Sequence, residues 1–401
     1  MTSSSPSVLA TALGTAESPS APLSAADSIR LLQALRSVPD PRRARGRRHS
    51  LQSVLLLALQ AVMAGASSWV AIAQWAATAP QGLSICGSPP SASTFRRVLA
   101  AVDVTALEAA LTRWASARRA AAARPAGRPG QTRAEQRTVL AVDGKTLRGS
   151  RAPTGVQTKL VSVYDHASGL VLTQAAVADG DEIAAFTTAL SCLPDLAGCL
   201  ITADALHCQR GHTKFLTARG GHYLFTVKAN QPTLATALRR LPWAAAGGSR
   251  RRDRGHGRTE SRSIQVIDCD GTDITGLFPA ARRAIKVVRR RTTADGRRSV
   301  ETVYALTSLD HRAADLALLA TWLRGHWEIE NRVHHVRDVT QRQDASRIRT
   351  GSGPQVMAAL RNTATNTATN IPRLTGHDNI AAAQRAAAWH PTAITDALNA
   401  A

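Results

Sequence analysis

Apolar positions along this chain follow two periodicities, and the switch between them divides it. From Ala26 to about Ala122 they recur at helical spacing. SIRLLQALRSV predicts a first helix, and LQSVLLLALQAVMAGA with SSWVAIAQWAATA predicts a helical hairpin turned at Gly65. SASTFRRVLAAVDVTALEAALTRWASARRAA predicts one long amphipathic helix capped by Ser93. The Pro and Gly spacing of ARPAGRPGQTRAEQR forbids a helix, so 123–136 reads as a linker. Beyond it come strand-like runs: TVLAVDG, KLVSVYD, LVLTQAAV, CLITADA and HYLFTVKAN, with helical DEIAAFTTALSCL ahead of CLITADA. IKVVRRRTTADGRRSVETVYALTSL predicts a β-hairpin turned at Asp295-Gly296. Helical spacing returns from Asp310 and again in a C-terminal tail over 351–401. Three strands, a helix and a strand make an α/β order, preceded by an all-helical domain over 26–122. Residues 1–25, rich in Ser, Ala and Pro, read as a disordered N-terminus.

Composition adds a partner. The 401 residues are 44% hydrophobic, enough to build cores in more than one domain. Fifty Lys and Arg against 28 Asp and Glu leave a net charge of +22, which calls for a polyanion, and nucleic acid is the commonest. Five cysteines without a CxxC pair argue against a disulfide framework and a structural zinc site, and fit a reducing compartment. The N-terminus lacks the basic and apolar regions of a secretory signal. The most apolar window, Leu51 to Ala66, contains Gln52 and Gln60 and is short for a membrane span. The expected location is cytoplasmic, associated with the nucleoid and away from membranes.

Candidate chemistry sits at strand ends. Asp143 closes TVLAVD and Asp204 closes CLITAD, the positions where ligand-binding groups collect in open α/β sheets. An Asp there also serves as a turn former or helix cap. In and just ahead of HWEIENRVHHVRD, Trp322, Ile329, Val333 and Val336 form an apolar stripe; His326, Glu330 and Arg337 fall beside it, and Glu328 borders its other side. Periodicity does not choose between the two glutamates. Two Asp and one Glu brought together would suit a pair of Mg²⁺ ions, since hard cations take oxygen ligands. Such a pair, about 3.5–4 Å apart, supports in-line phosphoryl transfer.

AVDGKTLRGS, ITADALHCQ, YLFTVKANQPTL, HGRTESR and RGHWEIENRVHHVRDVTQRQDASRIRTG together resemble the H-repeat-associated family of bacterial insertion-sequence DDE transposases. DPRRARGRRHSLQSVLLLALQAVMAGASSWVAIAQWA and PPSASTFRRVLAAVD look like the helical domain ahead of that family's catalytic domain. The resemblance implies an α/β, RNase H-like catalytic domain over 137–350, with a β-rich insertion at about 235–309. It implies a DDE triad of Asp143, Asp204 and Glu330, choosing Glu330 over Glu328, with 61 residues between the aspartates and 126 from Asp204 to the glutamate. These three would hold two Mg²⁺, with Mn²⁺ as a substitute. The partners implied are double-stranded DNA, at element ends and target, and a second copy of the chain in a homodimer or larger synaptic complex. In the wider superfamily the glutamate's helix carries a Tyr, an Arg and a basic residue; Leu323, His326 and Arg337 stand there, with Arg324 as a replacement for the Arg. DNA contacts are expected from Lys145, Arg148, Lys228, Asn230, Gln231, His256, Arg258, Arg262, Arg324, His326 and Arg337. Arg42, Arg43, Arg45, Arg47 and Arg48 form a further basic loop. Where the family pattern has HWVLD and FRED, this chain has HHVRD and TQRQD, with His335, Arg337, Gln341 and Gln343. An RNase H-like nuclease without strand transfer, or a decayed DNA-binding relic, would carry the same triad.

Overall fold

The computed structural model describes residues 24–78, 87–122, 134, 136–255, 258–368 and 380–389. The expected N-terminal tail up to residue 23, most of the 123–136 linker and His256 lie outside the described residues. Its described residues form two compact units: the first within Pro129–Leu140 and Asp195–His326, the second within Ser20–Arg128, Ala141–Pro194 and Trp327–Ala401. No helix among the described residues is long and apolar enough to cross a membrane.

The second unit holds the N-terminal helices. α1 (Ala25–Arg36) starts in a capping box, in which Ser24 and Asp27 each accept the other's backbone N–H. α2 (Leu51–Met63) is buried on nearly every side, which explains why its sequence is apolar all round. Gly65, at φ +95°, turns the chain toward α3 (Trp69–Thr78). The long helix expected next is two helices, α4 (Ala92–Leu99) and α5 (Val104–Ala122). Ser91, not Ser93, caps α4, and Asp103 Oδ1 accepts the Ala106 N–H at 3.0 Å to begin α5. An Asp that bonds forward this way starts a new helix rather than continuing the old one.

The same unit contains β1 (Val139–Thr146) from Ala141 onward, β2 (Lys159–Asp165) and β3 (Val171–Ala176), in the order β3-β2-β1, with β2 and β3 antiparallel. α6 (Glu182–Ser191) packs on β2 and β3. α11 (Gly353–Ala368) falls in the expected tail, yet it packs on α2, α5 and β3 with Val356, Met357 and Leu360 fully buried. Asn366 binds it to the sheet, accepting from Val171 N and donating to Val171 O, both at 2.8 Å.

In the first unit the order is β1-β4-β5-β9-β8-β7-β6. It comprises the start of β1, β4 (Leu200–Ala203), α7 (Arg210–Ala218), β5 (His222–Val227), α8 (Pro232–Arg240), β6 (Gly248–Gly255), β7 (Arg258–Asp268), the short α9 (Ile274–Leu277), β8 (Arg283–Thr293), β9 (Arg298–Thr307) and α10 (Leu316–Gly325). β4 and β5 are parallel, and every pair from β5–β9 to β7–β6 is antiparallel. Leu200, Leu224, Ile264, Ile285, Leu319 and Trp322 share its core. Gly296, at φ +81°, turns the β8–β9 hairpin where Asp295-Gly296 predicts it. The fold class is the expected one: α/β and RNase H-like, with a β-rich insertion and a helical N-terminal region ahead of it.

Candidate functional site

Asp143 follows four buried residues on β1, Val139 to Val142, and its side chain is 15% exposed. The glutamate that faces it comes from a segment that is not α-helical. Ile329–His334 and Val336–Thr340 are π-helical, and Gln341 N donates to Val336 O, five residues back, at 2.9 Å. Ile329 and Val333 anchor the first turn by packing with Ala141, Tyr164 and Val171. That anchoring brings Glu330 and His334 to Asp143. His334 Nδ1 lies 3.3 Å from Glu330 Oε2 and 3.4 Å from Asp143 Oδ2. One ligand atom from each of the three residues falls within 4.8 Å of the others.

The electrostatics of this cluster are consistent with its geometry. A hydrogen bond from His334, opposed by burial and assisted by the charge of Lys145, holds the Glu330 carboxyl down at about 2. Burial is the main influence on His334 and lowers its pKa despite Glu330. A neutral imidazole with its proton on Nδ1 meets both conditions, because it donates to a carboxylate without burying a cation. His334 Nε2 is then left buried with no hydrogen-bond partner. Lys145 Nζ, two residues past Asp143, pairs with Asp338 Oδ2 at 2.5 Å. Two carboxylates and an imidazole around one point fit a divalent cation.

Glu328 is separated from this cluster. It accepts from the Tyr164 hydroxyl at 3.4 Å and pairs with Arg332 at 3.6 Å. His334 was not picked out by sequence patterning, although its place four residues after Glu330 was the available signal. Arg337, expected on DNA, is a correction. Its side chain is fully buried, with Nε bonded to Gln343 Oε1 at 2.6 Å and Nη1 to Asn362 Oδ1 at 3.3 Å. The wider π turns shift the phase that 3.6-residue spacing assumes, so seven residues past Glu330 the chain presents Arg337 to the interior. Arg148 remains exposed, 3.9 Å from Asp344.

Asp204 belongs to the first unit, at the end of β4, where its Oδ1 accepts the Leu206 N–H at 3.0 Å. Its loop is braced from the segment after β5: Asn230 Nδ2 donates to Ala205 O, and Gln231 Nε2 to Cys208 O at 2.9 Å. Both amides, expected on DNA, are thus engaged in holding the Asp204 loop, while Lys228 is exposed. His207 is fully enclosed, and burial pushes its pKa down to about 4. His326 shares a hydrogen bond with Thr202 Oγ1 at 3.2 Å, and Arg324 is exposed. Arg262 is paired with Glu260, and Arg258 opens β7. In the basic loop of the second unit, Arg42 and Arg47 pair with Asp40 at 2.8 and 3.6 Å.

Comparison with known proteins points to one family. The family model described as "Transposase DDE domain" matches residues 134–367, and "DDE_Tnp_1-associated" matches 32–115. The "H repeat-associated putative transposase YhhI" of Escherichia coli (strain K12) is 27% identical over 359 residues, covering 85% of this chain and 90% of its own. An uncharacterized protein in the dhlA 3′ region of Xanthobacter autotrophicus is 35% identical over 243 residues, covering 58% of this chain and 78% of its own. Among solved structures, a piggyBac transposase synaptic complex with hairpin DNA aligns over 93% of this chain and 81% of that one, with a TM-score of 0.41 and 10% identity.

Proposed function

Because the chain belongs to the transposase DDE domain family, we propose that it is the transposase of an insertion sequence, binding the terminal inverted repeats of its element and cutting and joining DNA there. The observation that carries this reading is the meeting of Asp143 and Glu330 around His334, at the two motifs that match the family's first aspartate and its glutamate. Asp204, which matches the second aspartate, is the third carboxylate of the proposed site. The three would hold two Mg²⁺, or Mn²⁺ in their place.

Bound divalent cations supply Lewis acidity to an in-line phosphoryl transfer. The chain's own groups do the rest. Asp143 and Glu330 act as ligands, not nucleophiles, so no covalent protein–DNA intermediate forms. His334 orients the Glu330 carboxylate through Nδ1, and Asp338 holds the Lys145 ammonium beside Asp143. In the first step a water oxygen attacks phosphorus and the 3′-oxygen leaves, taking a proton to become a 3′-OH. In the second that 3′-OH attacks a target phosphodiester in the same manner. Two ends must meet, so the working form is a homodimer or larger, acting on the chromosome in the cytoplasm.

The test is a cleavage and strand-transfer assay on labelled element-end DNA, with Mg²⁺ or EDTA, comparing wild type with Asp143→Asn. Metal-dependent cleavage and joining that the variant loses would support the reading. Cleavage without joining would make the protein a nuclease. Binding without cleavage under varied metal conditions would make it a relic that still recognises its ends.

A further inference from the structure

The four-stranded arm β6–β9 segregates its charge by face. Residues paired across strands share a face, and alternate residues along a strand share it too. The register then defines four rows on one face: Gly248, Gln265, Lys286 and Tyr304; Arg250, Ser263, Val288 and Thr302; Arg252, Ser261, Arg290 and Val300; Arg254, Thr259, Thr292 and Arg298. No Asp or Glu occurs in any of them. The acids of these strands, Asp253, Glu260, Asp268 and Glu301, fall on the opposite face. Glu260 is enclosed by Arg262, Arg289 and Arg291, and Asp253 pairs with Arg251 at 3.2 Å. That opposite face also carries Ile264 and Val287, which pack with α10.

The acid-free face has a definite relief. Trp243 covers its inner end, tilted against Tyr304 with the Lys286 ammonium 5.7 Å from its ring centre. Beyond that, Arg250, Arg252, Arg254, Arg290 and Arg298 are exposed. Arg250, Arg252 and Arg254 line the β6 side; Arg290 and Arg298 stand on β8 and β9. Between them β7 presents only Ser263, Ser261 and Thr259, and Arg250 Nη2 reaches over it to Ser261 Oγ at 3.3 Å. The result is a trough with a hydroxyl floor and guanidinium walls.

We propose that this face of the arm seats the phosphate backbone of duplex DNA, with the arginines of β6 on one side of the backbone and those of β8 and β9 on the other. Four residue steps of antiparallel strand, from Arg250 to Arg254, extend about 14 Å, the axial run of about four phosphates of one strand. Guanidinium groups and hydroxyls are the donors that phosphate oxygens take. The inference rests on the transposase reading for its choice of DNA. The charge segregation itself argues against a simple guard on the β6 edge strand, since an edge is protected by charge on either face.

The experiment is binding of the full chain to a labelled duplex of arbitrary sequence, across a salt series, for three proteins. These are wild type, a variant combining Arg252→Gln, Arg254→Gln, Arg290→Gln and Arg298→Gln, and the opposite-face control Arg251→Gln. Each lost phosphate contact lowers the slope of log affinity against log salt by about 0.9. The fourfold variant should lose about two to four units of slope with an unchanged thermal midpoint, and the control essentially none. An unchanged slope in the fourfold variant, or an equal loss per residue in the control, would overturn the inference while leaving the transposase reading intact if cleavage persists. Wild type that fails to bind duplex at all would overturn both.

Discussion

Glu108 gives the sharpest physical prediction. It projects from α5 to β3, where Gln174 Nε2 donates to its Oε1. Gln174 Oε1 accepts from Asn362 Nδ2 at 2.7 Å, and Asn362 in turn accepts from the buried Arg337. Burial is the largest influence and pushes the Glu108 carboxyl up from 4.5 to about 8, against the hydrogen bond from Gln174 and the charge of Arg337. The folded chain therefore binds a proton here that the unfolded chain has released. Its contribution is fully present below about pH 4.5 and is lost as pH rises toward 8. Each pH unit in that window costs about 1.4 kcal/mol, on the order of 5 kcal/mol in all. Glu108→Gln keeps an oxygen for Gln174 and removes the titration. Urea unfolding of both proteins across the window should give equal stabilities at its acid end and an increasing advantage for the variant toward pH 8. Taking the difference cancels other titrating groups, including the buried His207. A difference that stays flat, or that favours the wild type as pH rises, would refute the reasoning.

Other tests address the site and its scaffold. Glu330→Gln should abolish metal-dependent cleavage while duplex binding is retained; residual cleavage near wild-type rates would remove Glu330 from the proposed triad. His334→Ala should weaken Mn²⁺ binding about 10- to 100-fold, the usual cost of losing a group that orients ligands, and an unchanged Mn²⁺ titration would assign His334 to packing alone. A Cβ on Gly149 would sit 2.5 Å from Ser346 O and 2.7 Å from Gln343 O. Gly149→Ala should therefore cost about 1–3 kcal/mol in unfolding free energy, and a variant as stable as wild type would show that this close approach relaxes freely.

The strands were readable because apolar runs such as KLVSVYD and CLITADA are short, bounded and β-branched, and their last residues predict where carboxylates emerge. The helical hairpin was readable from Gly65 for the same local reason. The break at Asp103 was not, because an Asp within an apolar-periodic stretch is as compatible with an exposed helix face as with a cap. The arm's charge segregation was hidden as well. Arg250 to Arg254 and Arg289 to Arg291 read as uniform basic runs until strand pairing assigns alternate residues to opposite faces. At α11 the polar residues Asn362, Thr363, Thr365 and Asn366 suggest a solvated tail, yet all are buried. Thr363 and Thr365 bond back to Ala359 O and Arg361 O within the helix, while the partners of Asn362 and Asn366 come from Arg337 and β3, of which local pattern carries no trace.

The π-helical segment explains both the success and the failure at the third acid. Helical periodicity near Glu330 is correct over one turn, so Ile329 and Val333 were rightly read as the buried stripe and Glu330 as its neighbour. Two turns on, Val336 is still buried as the stripe predicts, but Arg337 beside it is buried too, where i→i+5 bonding inserts extra chain per turn. Arg337 is consequently rotated off the presumed DNA-facing stripe into a buried network with Gln343 and Asn362. This changes the meaning of the departures in TQRQD. Gln343 replaces an acid of the family pattern, but its oxygen still accepts from the Arg337 guanidinium, so the substitution removes a charge from an interior contact without removing the contact. A neutral acceptor leaves more of the Arg337 charge uncompensated, and Asp338 is the acid whose field then favours that cation. The sequence change near Glu330 is therefore a repartition of charge beneath the site rather than a loss of one of its ligands.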